Sequence, residues 1–487
     1  MSEGDGAWDE YCLADFQSGM VRGEFSSRGL VEYYLDRIAR VDVRGPELHA
    51  VLQLNDEAQE IAGRLDDERA CGHVRGALHG VPVLLKGNIN TADHMTTTAG
   101  SLALRGFQPG HDAALVRSLR NAGAVILGKT NLSEWANFRS THSSSGWSGE
   151  GGQTRNPYAL DRNPSGSSSG SAVAVSANLC ALAIGTETDG SIVSPASACG
   201  VVGMKPTVGL VSREGIIPIS DSQDTAGPLA RTVADAALLL AVIADGLFKP
   251  MPAFGHSLQG LRLGYAPALA GFLPAVDGIM ESARQTLAGL GAVIIETDLM
   301  LPVSLVEAEF EVMLYELKAG LEQYLQTYNA SGTIKTLDDL IRSNHENAAI
   351  SMPWFGQELF EQASKKGGLD EPAYISARET CRKLSREQGI DRVLSRFRLD
   401  ALIGPSGSPA WKTDHILGDH FLGGSASLPA IAGYPNISVP AGFVHGLPVG
   451  LSIFSGAYSE TQLLRVALAF EGATKIRRKP GFAATVD

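Results

Sequence analysis

Cysteine is scarce and unpatterned. The 487 residues hold five, Cys12, Cys71, Cys180, Cys199 and Cys381, with no CxxC pair. An odd, scattered set supplies neither a disulfide framework nor a zinc site, and it fits thiols kept reduced in the cytoplasm. Positive charge is short as well: 40 Lys and Arg against 53 Asp and Glu give a net charge of −13. A field of that sign repels phosphate backbones and anionic lipid, so neither nucleic acid nor a membrane surface is expected as a partner. Residues 165–186 and 421–459 carry no Asp, Glu, Lys or Arg, but the first opens on Ser and Gly and the second is broken by Pro429, Pro435, Pro440 and Pro448. Neither reads as a membrane span. The opening MSEGDGAWDEY is acidic and lacks an apolar core, so no secretory signal is expected. No internal repeat and no charge-rich linker divides the chain.

What is present is a core-forming composition, with 44% hydrophobic and 19% charged residues, and 55 glycines for tight turns. Apolar spacing predicts helix from about Tyr11 to Leu65. Short apolar runs at Val81–Leu85, Ala124–Leu127 and Ala181–Gly185 then read as buried strands. Helices are expected at Asp112–Asn121, Ser171–Asn178 and after Thr232, whose hydroxyl stands three residues before Asp235. Alternation of this kind implies an α/β/α sandwich around a mixed, mostly buried sheet. Residues 300–395 read as a helical insertion, with a capping-box pattern at Ser304 and Glu307 and an apolar stripe at Phe310, Leu314, Leu317 and Leu321. Strand character returns at Ala401–Ile403, Ile437–Val439 and Val449–Ile453, before a helix at Ser459–Gly472. The expectation is one domain over 1–487: an N-terminal helical part at 8–70, a core at 71–245, the insertion at 300–395, and a return to the sheet at 400–475.

Two Ser/Gly segments carry the chemistry: NPSGSSSGSA at Asn163–Ala172 and GTETDGSIVSPA at Gly185–Ala196. A serine at a strand-to-turn junction beside Gly190 lets backbone N–H groups converge on a substrate oxygen, as acyl transfer requires. A phosphate cradle would need a GK[ST] sequence, and neither segment is followed by one. A serine needs a base. Lys86 ends the strand in GVPVLLKGNIN, and burial there disfavours an ammonium, although a solvated lysine fits the spacing equally well.

Read together, GVPVLLKGNIN, TTTAGSLAL, LRNAGAVILGKTNLSEWA, NPSGSSSGSA and GTETDGSIVSPAS through VGMKPTVGLVSREGIIPISDSQDTAGPLARTVADAA resemble the amidase signature family. The match runs in order from about Gly80 to Leu240 and resumes at Ala401–Ser408 and Ala432–Gly472. GTETDGSI, NLSEWANFRST and SSGWSG are most similar to the peptide-amidase-like branch. The resemblance implies Ser191 as nucleophile, Ser167 after a cis bond from Gly166 as proton relay, and Lys86 as ultimate base. It implies an oxyanion-binding turn at Thr188, Asp189 and Gly190, and a substrate wall drawing on Gly166, Trp135, Phe138, Trp147 and Ile192. No metal or cofactor is implied. The expected partner is a small amide or carbamate (urethane) molecule, the expected assembly a monomer or homodimer. Three positions depart from the family pattern: Gly87 and Val193 stand where Asp and Arg are common, and Asp189 where Gly is common.

Three rivals stand beside this reading. GSSSG at Gly166–Gly170 satisfies GxSxG with Ser168 as an esterase-type nucleophile, for which His415, His420 or His445 could act. DHILGDH at Asp414–His420 could begin a metal site. A partner-dependent amidotransferase chain would share the same motifs.

Overall fold

The computed structural model describes residues 6–249, 255, 257–330 and 332–486. Short apolar runs closed by Gly or a turn become strands of one sheet: β1 (Val51–Leu54), β2 (Pro82–Lys86), β3 (Val125–Thr130), β4 (Leu182–Glu187), β5 (Val202–Lys205), β6 (Thr225–Ala230), β7 (Arg262–Tyr265), β8 (Val293–Glu296), β9 (Ala401–Pro405), β10 (Asn436–Val444) and β11 (Leu447–Phe454). Among the described residues the order is β1-β3-β2-β4-β6-β5-β10-β11-β9-β7-β8. The sheet is mixed. β2 runs parallel to β3 and β4, whereas β1 is antiparallel to β3 and β4 antiparallel to β6. Every residue of β2, β3 and β4 is buried, as strands covered by helices on both faces must be. Helix Ser169–Ser176, built from small residues, lies across β2, β3, β4 and β6.

Two expectations change. The stretch predicted as helical from Tyr11 to Leu65 contains strand β1, because Val51–Leu54 finds an edge to pair with on β3. Tertiary pairing overrides a local pattern of that length. The helix Val303–Tyr328 begins two residues earlier than the capping-box reading, with Pro302 at its N-cap and no side-chain cap. Thr232 does cap its helix, accepting from the Asp235 N–H at 3.1 Å.

The helices between residues 303 and 397 are fixed onto the segment that precedes the Ser/Gly cluster. Leu314, Leu317 and Leu321 pack in one buried cluster with Trp135, Phe138 and Phe360. Arg139, fully buried, donates from Nη1 to Glu134 Oε1 at 2.8 Å and to the Ser351 carbonyl at 2.6 Å, with its guanidinium carbon 4.5 Å from the Phe355 ring centroid. Glu358 accepts from Ser140 Oγ at 2.8 Å and from the Thr141 N–H at 2.6 Å.

Removing one member of a buried ion pair leaves the other without a counter-charge. Arg139→Ala is expected to destabilise the fold by roughly 3–5 kcal/mol. The urea midpoint at pH 8 measures this, and an unchanged midpoint would show that the pair does not hold the insertion in place.

Candidate active site

β2 ends in the middle of the sheet, so the side chain of its last residue emerges under cover. Lys86 is fully buried. Its Nζ lies 2.8 Å from Ser167 Oγ, 2.9 Å from Thr186 Oγ1, and 3.1 Å from both Ser168 Oγ and the Thr186 carbonyl. Among the described residues no carboxylate makes a hydrogen bond or ion pair with it. Burial lowers its pKa to about 7, against the weaker opposing pull of Asp224 and Glu187. A neutral amine keeps two N–H donors and gains a lone pair, so one neighbouring hydroxyl, Ser167 being the nearest, is able to donate to it.

The two Ser/Gly segments meet here. The Gly166–Ser167 peptide is cis. Gly166 is required, since a Cβ there would stand 2.2 Å from Ser133 Oγ. The Ser167 carbonyl accepts from the Ser133 N–H at 3.1 Å, and the Ser168 N–H donates to the Ser191 carbonyl at 3.1 Å. That last bond ties the backbone of Ser191 to the serine cluster. The Ser191 hydroxyl itself makes no hydrogen bond to another described residue, and the residue is 8% exposed.

Between β4 and Ser191 the chain turns sharply, with Gly190 at φ 75°. Glu187 holds the turn from below. Its Oε2 accepts the N–H groups of Ile192 at 2.7 Å and Val193 at 3.0 Å, and the Gly190 N–H also leans toward its carboxylate. The N–H groups of Thr188 and Asp189 find no acceptor among the described residues. Thr188 Oγ1 donates to Asp224 Oδ1 at 2.6 Å. Burial pushes Asp224 up to about 6. It pushes Asp189 to about 6 as well, where the Ser427 hydroxyl works against it and the Glu187 carboxylate adds to it.

The departures from the family pattern have steric counterparts. A Cβ at Gly87 would sit 3.0 Å from Leu52 Cδ1 and 3.2 Å from the Thr130 carbonyl, so a side chain there would be crowded and would need its neighbours to shift by a few tenths of an ångström. Val193 is fully buried in the helix Val193–Ala198, where an arginine would be enclosed.

The aromatic residues predicted for the wall are placed differently. Trp135 packs on Phe360, Phe138 on Phe310, and Trp147 on Phe355, while Ile192 points into the main core. All four are buried, the three aromatic rings against residues of the 300–395 insertion and Ile192 in the main core. A cavity of about 300 Å³ instead reaches the Lys86 network at Asn88, Thr186 and Thr188, and is lined further out by Ile217, Tyr324 and Tyr328. Asn88 donates from Nδ2 to Thr186 Oγ1 at 3.0 Å. Asn88, Thr186 and Asp224 were not among the expected site residues. Asn88 stands two residues after Lys86 in the same motif, which was the available signal.

The rival nucleophile is occupied. Ser168 Oγ donates to the Thr186 carbonyl at 2.9 Å and accepts the Thr186 N–H at 3.1 Å. Of its suggested histidines, His415 stacks on Trp354 and His445 occupies the β10–β11 turn at φ 47°. In the Asp414–His420 segment, Asp414 accepts the Ile416 and Leu417 N–H groups, and Asp419 accepts the Ser145 N–H and Trp411 Nε1. Among the described residues no helix is long and apolar enough to cross a membrane.

The family model described as Amidase matches residues 29–464. A native peptide amidase from Stenotrophomonas maltophilia is 49% identical in sequence, with a TM-score of 0.92 over 98% of this chain and 99% of that one. A probable amidase of Arabidopsis thaliana is 39% identical over 98% of this chain and 92% of its own length. A glutamyl-tRNA(Gln) amidotransferase chain of Symbiobacterium thermophilum is 36% identical over 93% of this chain and 94% of its own length.

Burial of Lys86 also makes the fold pH-dependent. In the unfolded chain a lysine titrates near about 10.4; here it titrates at about 7. Between these values the unfolded chain holds a proton that the folded chain has released, so this group makes stability rise with pH across the window. Below it both states are protonated and the burial cost is present in full. Lys86→Met is therefore expected to raise Tm relative to wild type most at pH 6 and progressively less toward pH 10. A Tm difference that stays constant over that range would mean that Lys86 remains an ammonium in the folded chain throughout.

Proposed function

From the chain's membership of the amidase signature family, which makes it an amide-hydrolysing enzyme akin to the peptide amidases, we propose that it cleaves carboxamide C–N bonds through an acyl-enzyme on Ser191. The observation that carries this reading is the fully buried Lys86 amine at 2.8 Å from Ser167 Oγ, with a pKa of about 7. A base poised near the working pH combines availability with driving force.

Lys86 takes the Ser167 proton as Ser167 takes that of Ser191. Ser191 Oγ then adds to the substrate carbonyl carbon. The unsatisfied N–H groups of Thr188 and Asp189 are the donors available to the oxyanion, while Gly190 gives the turn its shape and its own N–H leans on Glu187. Ser167 returns a proton to the departing nitrogen as the C–N bond breaks, and water releases the acid by the reverse sequence. A lysine conjugate acid suits amides, whose amine leaving groups need a proton. In this reading Ser191, Ser167 and Lys86 have the roles that the sequence resemblance implies. The helix Val303–Tyr328 contributes Gly320, Gln323, Tyr324 and Tyr328 to the cavity, so part of the 300–395 segment walls the substrate site. Peptide C-terminal amides, aryl amides and alkyl amides form the expected substrate class. Carbamates, whose carbonyl is open to the same attack, extend it.

Purified enzyme assayed on amino acid amides, a peptide amide, p-nitroanilides and an aryl carbamate tests this. Lys86→Ala is expected to lower kcat by about 10²–10⁴-fold. For wild type, kcat/KM should rise with pH and level off above pH 7, as Lys86 loses its proton. Near-wild-type turnover by Lys86→Ala would remove it from the base role. Activity that appears only with a second protein would favour the amidotransferase reading.

A further inference from the structure

We propose that Glu309, on the long helix of the insertion, is a positioning residue for the oxyanion turn and acts through Gln223. The proposal deepens the acyl-enzyme reading, on which it rests for the role of Ser191. Gln223 is buried, and its Nε2 donates both to Glu309 Oε1 at 2.8 Å and to the Thr188 carbonyl at 3.3 Å. A peptide unit is planar and trans here, so its C=O and the following N–H point in opposite directions. Fixing the Thr188 carbonyl therefore fixes where the Asp189 N–H aims, and that N–H has no acceptor among the described residues.

The same helix secures the loop that carries Gln223. Glu316 lies seven residues further along, two turns on and on the same face. Its Oε2 accepts from Ser220 Oγ at 2.5 Å and from the Ser222 N–H and Ser222 Oγ, both at 2.9 Å, while its Oε1 accepts from Tyr374 Oη at 2.7 Å. Asp224 closes the loop by accepting the Ile219 and Ser220 N–H groups at 2.7 and 3.0 Å, and takes the Thr188 hydroxyl with its other oxygen. Thr188 is thus held at both its carbonyl and its side chain by a loop that two carboxyl groups of one helix face keep in place. Burial, reinforced by the neighbouring Asp189 carboxyl, holds Glu309 well above the usual carboxylate range. Glutamine is accordingly a close substitute in both shape and charge.

Two readouts test the proposal: amide turnover, and the rate at which an alkyl fluorophosphonate labels Ser191. In labelling, the Ser191 Oγ–P bond forms as the P–F bond breaks, fluoride leaves, and the hydroxyl proton passes to Ser167. The phosphoryl oxygen occupies the oxyanion position without any amide being cleaved. Loss of one oxyanion donor costs about 10²–10³-fold in kcat, so a misaimed one is expected to cost about 10–100-fold. Glu309→Ala and Gln223→Leu should each lower kcat and the labelling rate by that factor while KM moves less than kcat. Glu309→Gln should recover most of both, and Glu307→Ala, on the exposed face of the same helix, should change neither. If Glu309→Ala fails to fold, Gln223→Leu and Glu309→Gln decide the matter. Wild-type kcat and labelling in Glu309→Ala or Gln223→Leu would overturn the proposal. So would a loss confined to KM, or one that Glu309→Gln does not recover. A wild-type protein that is labelled at Ser191 but hydrolyses no amide would sink the functional reading alone, leaving labelling of the variants to judge Glu309. A wild-type protein inert to both would overturn the two together.

Discussion

The site depends on an amine kept out of water without a counter-ion. Lys86 ends a strand flanked by two parallel neighbours, and its shell consists of three hydroxyls and one carbonyl. Such a shell offers hydrogen bonds but no negative charge, so desolvation dominates and the neutral form becomes accessible near pH 7. A carboxylate in contact would have restored the ammonium and cost the group its basic lone pair. The carboxylates that do act on Lys86, Asp224 and Glu187, act from a distance.

A neighbouring strand shows what this arrangement is not. Lys129, one residue before the end of β3, is as deeply buried as Lys86 and is also lowered to about 7. Its Nζ donates to the Ile89 carbonyl and to Thr97 Oγ1. Both partners belong to the chain that follows β2, and neither is one of the serines that surround Lys86. Burial therefore yields a depressed lysine three times in this sheet, at Lys86, Lys129 and Lys205, the last at about 8. What distinguishes Lys86 is the company of Ser167, and through the Ser168 N–H to the Ser191 carbonyl, the closeness of the second segment.

Much of this was legible in the chain because it is local. The buried strand before Lys86, the small-residue helix after the serine cluster and the Thr232 cap each follow from a few adjacent residues. The meeting of Lys86 with Ser167 was implied by family resemblance, since spacing alone places a lysine at a strand end and leaves its surroundings open. Strand β1 was missed because its pairing with β3 spans more than seventy residues. Trp135, Phe138 and Trp147 were assigned to the wall because large aromatic residues near a site suit either a pocket or a core. The helices that cover them come from residues 303–397, and no local pattern reveals which distant helix will claim a ring. Asn88 and Gln223 went unremarked for the opposite reason: single amides carry little signal until their partners are known.

The insertion thereby does two kinds of work with different faces of one helix. Leu314, Leu317 and Leu321 bind it to the aromatic cluster beneath residues 133–150, while Tyr324 and Tyr328 line the cavity. Glu309 and Glu316 present carboxyl groups to residues 219–224, the loop that holds Thr188. A segment that shapes the cavity is in this way mechanically continuous with the turn before Ser191. Changes in this helix that alter substrate fit therefore also reach the alignment of the Asp189 N–H, because the peptide plane that carries it ends on Gln223.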